Sequence, residues 1–400
     1  MRSFDTALLD RRGLLRGAAA LGGLDLVGLA GCATIPRPTA APSTVERVQL
    51  APIRASADRI FDITVCLRPF RAAGPRLETE QLGDTLVVHN YGHGGSGWSL
   101  SWGSGTLAVE KAMAGSPREI AVLGCGALGL TAATLAQRAG AKVTIYARDL
   151  LPQARSSRAT GSWTPDSRIA LEGSTPPGFA ALWERMARIS FKTYRQYLGL
   201  PGSPVEWTDR YYLADDPAGP SPGARRPGSL PFAEYHQSIA DLTPRTLPLP
   251  EGSTPFPTAS VRRTTSMMFN IADYGHTLMN DFLAAGGRFE RREFHTPADL
   301  TLLKEKVVIN CPGYGARELW KDESIVPVRG EIAWLIPQSE VNYGVFYRDV
   351  SVLARRDGIV VQPLAGGDMR GYGDDNETAD RAEAEAAVAT IAELYSRFRA

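Results

Sequence analysis

The 400-residue chain sets 44 Lys and Arg against 43 Asp and Glu, a net charge of +1, with 44% hydrophobic and 22% charged residues. That is an ordinary globular composition, long enough for two closely packed lobes, and it offers no electrostatic ground for a nucleic-acid or anionic-membrane partner. Four cysteines, Cys32, Cys66, Cys125 and Cys311, form no CxxC pair, so neither a zinc site nor a disulfide framework is implied.

The chain opens on a targeting segment. Asp10-Arg11-Arg12-Gly13-Leu14-Leu15 is a twin-arginine-like start, and the apolar residues 14–31 are short for a membrane span and interrupted by Asp25. Leu29-Ala30-Gly31-Cys32 resembles a bacterial lipobox. Residues 1–32 are therefore expected to be an export signal. It would leave the protein on the envelope or periplasmic side, touching membrane only through a lipid on Cys32. Residues 33–58, rich in Pro, Ala, Ser and Thr, read as a tether.

Residues 86–89 form the next apolar run and read as a strand. Residues 91–97 then hold four glycines in seven positions, followed by Gly103 and Gly105. So dense a run lets backbone N–H groups wrap closely around a flat or anionic ligand. A helix is expected over 106–114. Residues 120–123 are a buried strand, Gly124-Cys125-Gly126-Ala127-Leu128-Gly129 a glycine turn, 130–138 a helix, and 143–146 a second strand. This strand–turn–helix–strand unit cradles a dinucleotide. Gly124 permits the turn, Gly126 admits the pyrophosphate, Gly129 lets helix and strand pack, and the helix N-terminus offers N–H groups to phosphate. At the end of the second strand, Arg148 suits a ribose or phosphate and Asp149 a ribose hydroxyl; the sequence does not choose between them.

Further on, 182–198 reads as a helix, 211–213 as a strand, 216–233 as a Pro- and Gly-rich loop, 274–285 as a helix stopped by Gly286-Gly287, and 289–292 and 307–310 as strands. A last helix is expected over 378–400.

Arg68-Pro69-Phe70-Arg71, then a short hairpin, then His89-Asn90-Tyr91-Gly92-His93-Gly94-Gly95 resembles the D-amino-acid oxidase family, flavoproteins of the glutathione-reductase-like FAD fold. The resemblance continues in residues 154–163, in Cys311-Pro312-Gly313 and in Arg329-Gly330-Glu331-Ile332. It implies an α/β architecture: a Rossmann-like FAD-binding domain (59–165 and 266–325, with 378–400 as its C-terminal helix) and a mostly antiparallel substrate domain (166–265 and 326–377). It implies FAD as cofactor, an amino acid and oxygen as partners, and Arg68 as the clamp for the substrate carboxylate. The alternative role for Arg68 is a salt bridge to Glu78 or Glu80.

By the same resemblance the cofactor contacts are Gly94, Gly95, Gly97, Trp98 and Ser99, then Gly124, Gly126, Ala127, Leu128 and Gly129. Arg148, Ser156, Ser157, Gly161, Ser162 and Gly313 complete the set. Arg155 and Arg158 either touch phosphate or face solvent, and His89 and His93 are expected as hydrogen-bonded scaffold rather than bases. The family's active-site tyrosine has no counterpart near Arg355 and Arg356, with Tyr343 or Tyr347 as substitutes. The motif order is swapped relative to the ordinary family member, which implies a circular permutation. The expected function is oxidative deamination of D-amino acids. The alternatives are an envelope dehydrogenase using another electron acceptor and a flavin-fold binding lipoprotein without activity.

Overall fold

A computed structural model describes residues 47–217 and 227–398. The export signal, Cys32 and most of the tether lie outside the described residues. The strands in chain order are β1 (Ile60–Arg71), β2 (Thr79–Leu82), β3 (Thr85–His89), β4 (Glu119–Leu123), β5 (Lys142–Ala147), β6 (Val205–Ala214) and β7 (Leu247–Pro248). They continue as β8 (Ser260–Phe269), β9 (Arg288–Arg291), β10 (Val307–Asn310), β11 (Ile325–Leu335), β12 (Tyr343–Tyr347), β13 (Val350–Arg355) and β14 (Gly358–Pro363). The helices are α1 (Gly97–Ala112), α2 (Ala127–Arg138), α3 (Phe179–Tyr194), α4 (Ile271–Ala284), α5 (Ala298–Thr301), α6 (Ala316–Leu319) and α7 (Arg381–Ser396). No helix among them is long and apolar enough to cross a membrane.

Two sheets organise one compact unit. The six-stranded sheet runs β2-β3-β10-β4-β5-β9, with β3, β10, β4, β5 and β9 parallel and β2 antiparallel at the edge. Its central strands are continuous apolar runs because both faces are covered. Val88, Ile120, Val122, Val143, Ile145 and Ile309 pack under α1, α2 and α4, while Val87, Ala121, Leu123 and Val308 pack against Leu300, Leu303 and Leu319 on the other side.

The eight-stranded sheet runs β1-β11-β14-β13-β12-β6-β8-β7 and is antiparallel except between β12 and β6. One face carries α7, whose Ala384, Ala387, Val388, Ile391 and Leu394 meet Ala333, Leu335, Val352, Ile359 and Val361. At about 1.5–3 kcal/mol per large aliphatic side chain, Val388, Ile391 and Leu394 tie this helix to that sheet. The N-terminus of α7 is capped by Asp380, whose side chain accepts from the Glu383 N–H at 3.1 Å.

Three expectations are corrected here. The last helix covers the eight-stranded sheet, not the nucleotide-type sheet, because its apolar face matches the outward-facing alternation of β11, β13 and β14. Strand β1, with Arg68, is an edge of the eight-stranded sheet, paired with β11 along its whole length, although 59–165 were expected in the FAD-binding half. The first helix starts at Gly97 rather than at 106. Gly103 is a packing position: a Cβ there would collide with the Met186 backbone of α3, and the Gly103 N–H donates to Ser190 Oγ at 2.8 Å.

Gly103→Ala should therefore overpack the α1–α3 contact and cost about 1–3 kcal/mol. A urea midpoint equal to that of the parent protein would contradict this account of the helix.

Candidate active site

The carboxyl ends of the parallel strands deliver the site. Asn310 ends β10 between His89 of β3 and Leu123 of β4, in register with both. The loops that follow these three strands therefore leave the sheet side by side, at the edge where open α/β sheets bind ligands.

After β4 the chain turns at Gly124, whose φ of 94° lies in the left-handed region; a Cβ there would also strike the Cys311 carbonyl. A Cβ on Gly126 would lie 2.5 Å from Ser156 Oγ, and one on Gly129 would collide with the Gly124 carbonyl. The N-terminus of α2 has no side-chain cap of its own; the Ala127 N–H donates to Ser156 Oγ at 3.1 Å. After β3 the glycine run is fastened by its backbone. The Gly94 N–H donates to the Pro69 carbonyl and the Gly95 N–H to the Ser167 carbonyl, both at 2.9 Å. Gly94 has a φ of 53°, and a Cβ on it would collide with the Arg168 carbonyl. Trp98, in the first turn of α1, donates from Nε1 to the Ser156 carbonyl at 2.8 Å.

One cavity of about 820 Å³ lies between these segments, within the range of a cofactor pocket, about 300–1,000 Å³. Gly94, Gly95, Gly97, Trp98, Ser99, Gly124, Gly126, Ala127, Leu128, Arg148, Ser156, Gly161, Ser162, Gly313 and Arg68 all line it. Two expected contacts do not. Gly129 sits behind the turn, where its missing Cβ lets α2 approach Gly124. Ser157 turns away, its hydroxyl donating to the Pro152 and Ala154 carbonyls. Arg148 and Asp149 both face the cavity and pair with each other at 2.9 Å, and Arg148 also reaches Glu293 at 3.2 Å. Arg155 and Arg158 line it too: Arg155 is paired with Glu377, and Arg158 donates to the Val65 carbonyl at 3.0 Å.

Arg68 leaves β1 and lies flat across Gly330 of β11, where any Cβ would collide with its guanidinium. Among the described residues its one side-chain hydrogen bond is a long one, 3.4 Å, to the Val328 carbonyl. Glu78 and Glu80 are engaged elsewhere, with Arg76 and His89. The salt-bridge alternative for Arg68 is thus not formed, because the hairpin carrying both acids belongs to the other sheet. Burial holds the Arg68 pKa below its usual value, with Cys66 and Asp368 opposing that shift and Arg370 adding to it.

Tyr343 and Tyr347 do not substitute for a wall tyrosine. They point to the α7 side of the sheet, where Tyr343 donates to the Ala51 carbonyl and Tyr347 to Asp215. Arg355 is also not a wall residue; it is buried, paired with Asp357 and donating to the Ala159 and Thr160 carbonyls. The cavity wall on this sheet is instead made by Arg210, Phe346, Ser351 and Gln362, with Cys66 near Arg68 and Arg168 beside the glycine run. None was singled out in the sequence. Alternation marks one face of each strand but does not say that this face meets a cavity.

His89 is held by Glu80 at 3.0 Å and Asn310 at 2.9 Å and does not line the cavity. His93 does. Its Nε2 lies 2.7 Å from Ser104 Oγ, whose proton goes to Asn90 Oδ1. That chain puts the imidazole proton on Nε2 and leaves Nδ1, which has no protein partner, as an acceptor. Burial pushes the His93 pKa down to about 3, so the ring is neutral.

The family model for FAD-dependent oxidoreductases (DAO) matches residues 119–400. A D-amino-acid oxidase of Streptomyces coelicolor is 30% identical over 217 residues, 54% of this chain and 58% of that protein. A D-amino-acid oxidase of Dictyostelium discoideum is 24% identical over 213 residues, 53% of this chain and 55% of that one. Among solved structures, the L-amino acid deaminase from Proteus vulgaris aligns at a TM-score of 0.40 and 12% identity, covering 62% of this chain and 60% of that chain. The chain thus spans a little over half the length of the curated relatives it matches. With the family match running over most of its length, the chain belongs to the DAO family of FAD-dependent oxidoreductases, and its cofactor is FAD. The residues present fit that group: the Gly126 cradle and the α2 N-terminus, whose N-cap glycine supplies no side chain, suit the pyrophosphate, and Arg148 and Asp149 the adenosine end.

The buried neutral His93 has a consequence for stability. Above about pH 6.5 the folded and unfolded rings are both neutral. Below it the unfolded chain binds a proton that the folded chain refuses until about pH 3, so stability falls as pH falls. By about pH 4.5 this loss is on the order of 2–3 kcal/mol. His93→Gln should shrink the difference in urea midpoint between about pH 7 and about pH 4.5; an unchanged difference would contradict the buried neutral ring.

Proposed function

We propose that the protein catalyses FAD-dependent oxidative deamination of D-amino acids: amino acid, oxygen and water give a 2-oxo acid, ammonia and hydrogen peroxide. The observation that carries this reading is Arg68, a half-buried guanidinium with no acid partner among the described residues, set over Gly330 and facing the same cavity as the glycine run and the glycine turn. A planar guanidinium of this kind binds a carboxylate through two parallel charge-assisted hydrogen bonds.

FAD, when bound, supplies the hydride acceptor. The chain's own part is to fix the amino acid by its carboxylate and to hold it away from water, so that one α-hydrogen is presented each time. No side-chain base is assigned. His93 has a lone pair but is tied to Ser104, and its low basicity suits a fixed acceptor better than a proton carrier. The Arg68 strand and the residue 89–97 run precede the family-matched region yet line the same cavity, which supports the permuted chain order as part of this reading.

Arg68→Gln should weaken carboxylate ligands on the order of 100-fold, read as a loss of anaerobic flavin reduction by D-amino acids at low concentration. Turnover equal to the parent would remove the clamp. Peroxide release with oxygen as sole acceptor supports the oxidase; dye reduction without peroxide would assign another carrier.

The envelope location is part of the same proposal, resting on the lipobox-like Leu29-Ala30-Gly31-Cys32. Mass spectrometry of the mature N-terminus should find Cys32 acylated. A mature chain that retains residues 1–31 would contradict it.

A further inference from the structure

Arg210, on β6, is 4% exposed and lines the cavity. Its polar neighbours are neutral: Ser162 Oγ at 3.0 Å from Nη1 and Ser351 Oγ at 3.4 Å from Nη2. The guanidinium lies 4.7 Å from the centre of the Phe346 ring, and its Nε is buried without a partner. No carboxylate among the described residues pairs with it. A buried cation left so is costly, and the cost is recovered when an anion arrives.

The rest of the fold treats buried arginines differently. Arg355 is paired with Asp357, Arg329 with Glu331 at 2.6 Å, and Arg168 with Asp368 at 3.3 Å. Arg68 and Arg210 lack an acid among the described residues, and both line the cavity. They are also mounted alike. Arg68 crosses Gly330 on the neighbouring strand β11, and Arg210 crosses Gly344 on its neighbour β12, where a Cβ would sit 2.6 Å from Nε and 2.8 Å from Cδ. Two positions have thus given up a side chain to let a guanidinium lie flat.

We propose that the substrate carries a second carboxylate, on its side chain, and that Arg210 receives it while Arg68 holds the α-carboxylate. This inference rests on the amino-acid reading above and makes acidic amino acids the preferred substrates. The sheet register sets the spacing. Ala333, Val361 and Val352 stand in one row across β11, β14 and β13. Gly330 is three residues from that row and Ser351 one residue from it on the same side. The two guanidinium groups are then about two strands apart and two residues offset, on the order of 12 Å at ~4.8 Å per strand and ~3.3 Å per residue. With contacts of about 2.8 Å at each end, that gap suits a diacid of aspartate or glutamate length.

The test uses the flavin-loaded protein. Succinate and glutarate, against butyrate and valerate, are titrated while the flavin absorbance is followed; D-aspartate and D-glutamate, against D-alanine and D-norvaline, are compared for anaerobic flavin reduction. Diacids should bind at least ~10-fold tighter, and Arg210→Gln should weaken them on the order of 100-fold while moving the monoacids far less. Equal losses for both classes, or no diacid preference in the parent, would overturn the proposal. The parent comparison decides this even if the variant does not fold. If D-alanine reduces the flavin and the diacids show no advantage, the second clamp alone fails; if no amino acid of either kind reduces it, the amino-acid reading fails and this inference with it.

Discussion

The insertion of β10 between β3 and β4 is the constraint on which the site depends. Parallel pairing on both sides of Val307–Asn310 makes three strands end level. Three glycine-containing loops then emerge in one place: the run after His89, the turn after Leu123 and the Pro312–Gly313 corner. None needs its neighbour in sequence. The chain order of the motifs is therefore free to change while their spatial order is held by the sheet. Gly124 follows from this crowding, because its turn passes against the Cys311 carbonyl of the loop after the adjacent β10; Gly94 is pressed on by the Arg168 segment and Gly129 by its own turn. A Cβ on Gly94, Gly124 or Gly129 would collide with a backbone carbonyl.

Charge is the second theme. Eight of the described arginines line the cavity, and four have an acid: Arg148 has Asp149 and Glu293, Arg155 and Arg158 share Glu377, and Arg168 has Asp368, while Arg292 lies over the Phe294 ring and Arg317 donates to backbone carbonyls. Arg68 and Arg210 have none among the described residues, and both lie on the face of the large sheet away from α7. The eight-stranded sheet thus does two jobs with one alternation. Outward residues such as Ala333 and Val361 bind α7, and inward ones such as Ser351 and Gln362 form a polar wall. An acid placed beside Arg68 would lower the cost of burying it and would also occupy the position a carboxylate needs.

Much of the small sheet was legible in the sequence, because its strands are apolar runs followed by glycine. The turn at 124–129 and the strand at 307–310 stand where they were expected. What was not legible depends on contacts between distant elements. The sequence places the helix start at 106 because glycine is a poor helix former, yet Gly103 lies within α1, where the close passage of α3 leaves no room for a Cβ. The α7 segment carries no sign of which sheet it will cover. Asp209-Arg210-Tyr211 looks like an ordinary strand with a charged outer face. Only the neighbouring strand's Gly344 and the loop's Ser162 turn that arginine into a cavity residue.

The central claim is that segments distant in the chain close on one flavin ring. A crystal structure of the flavin-loaded protein tests it most directly. The account predicts the pyrophosphate at Gly126 and the N-terminus of α2, with the ring between the 94–98 run and Gly161–Ser162 and one face open toward Arg68. A ring bound away from the 94–98 run, or a pyrophosphate elsewhere than the α2 N-terminus, would contradict it.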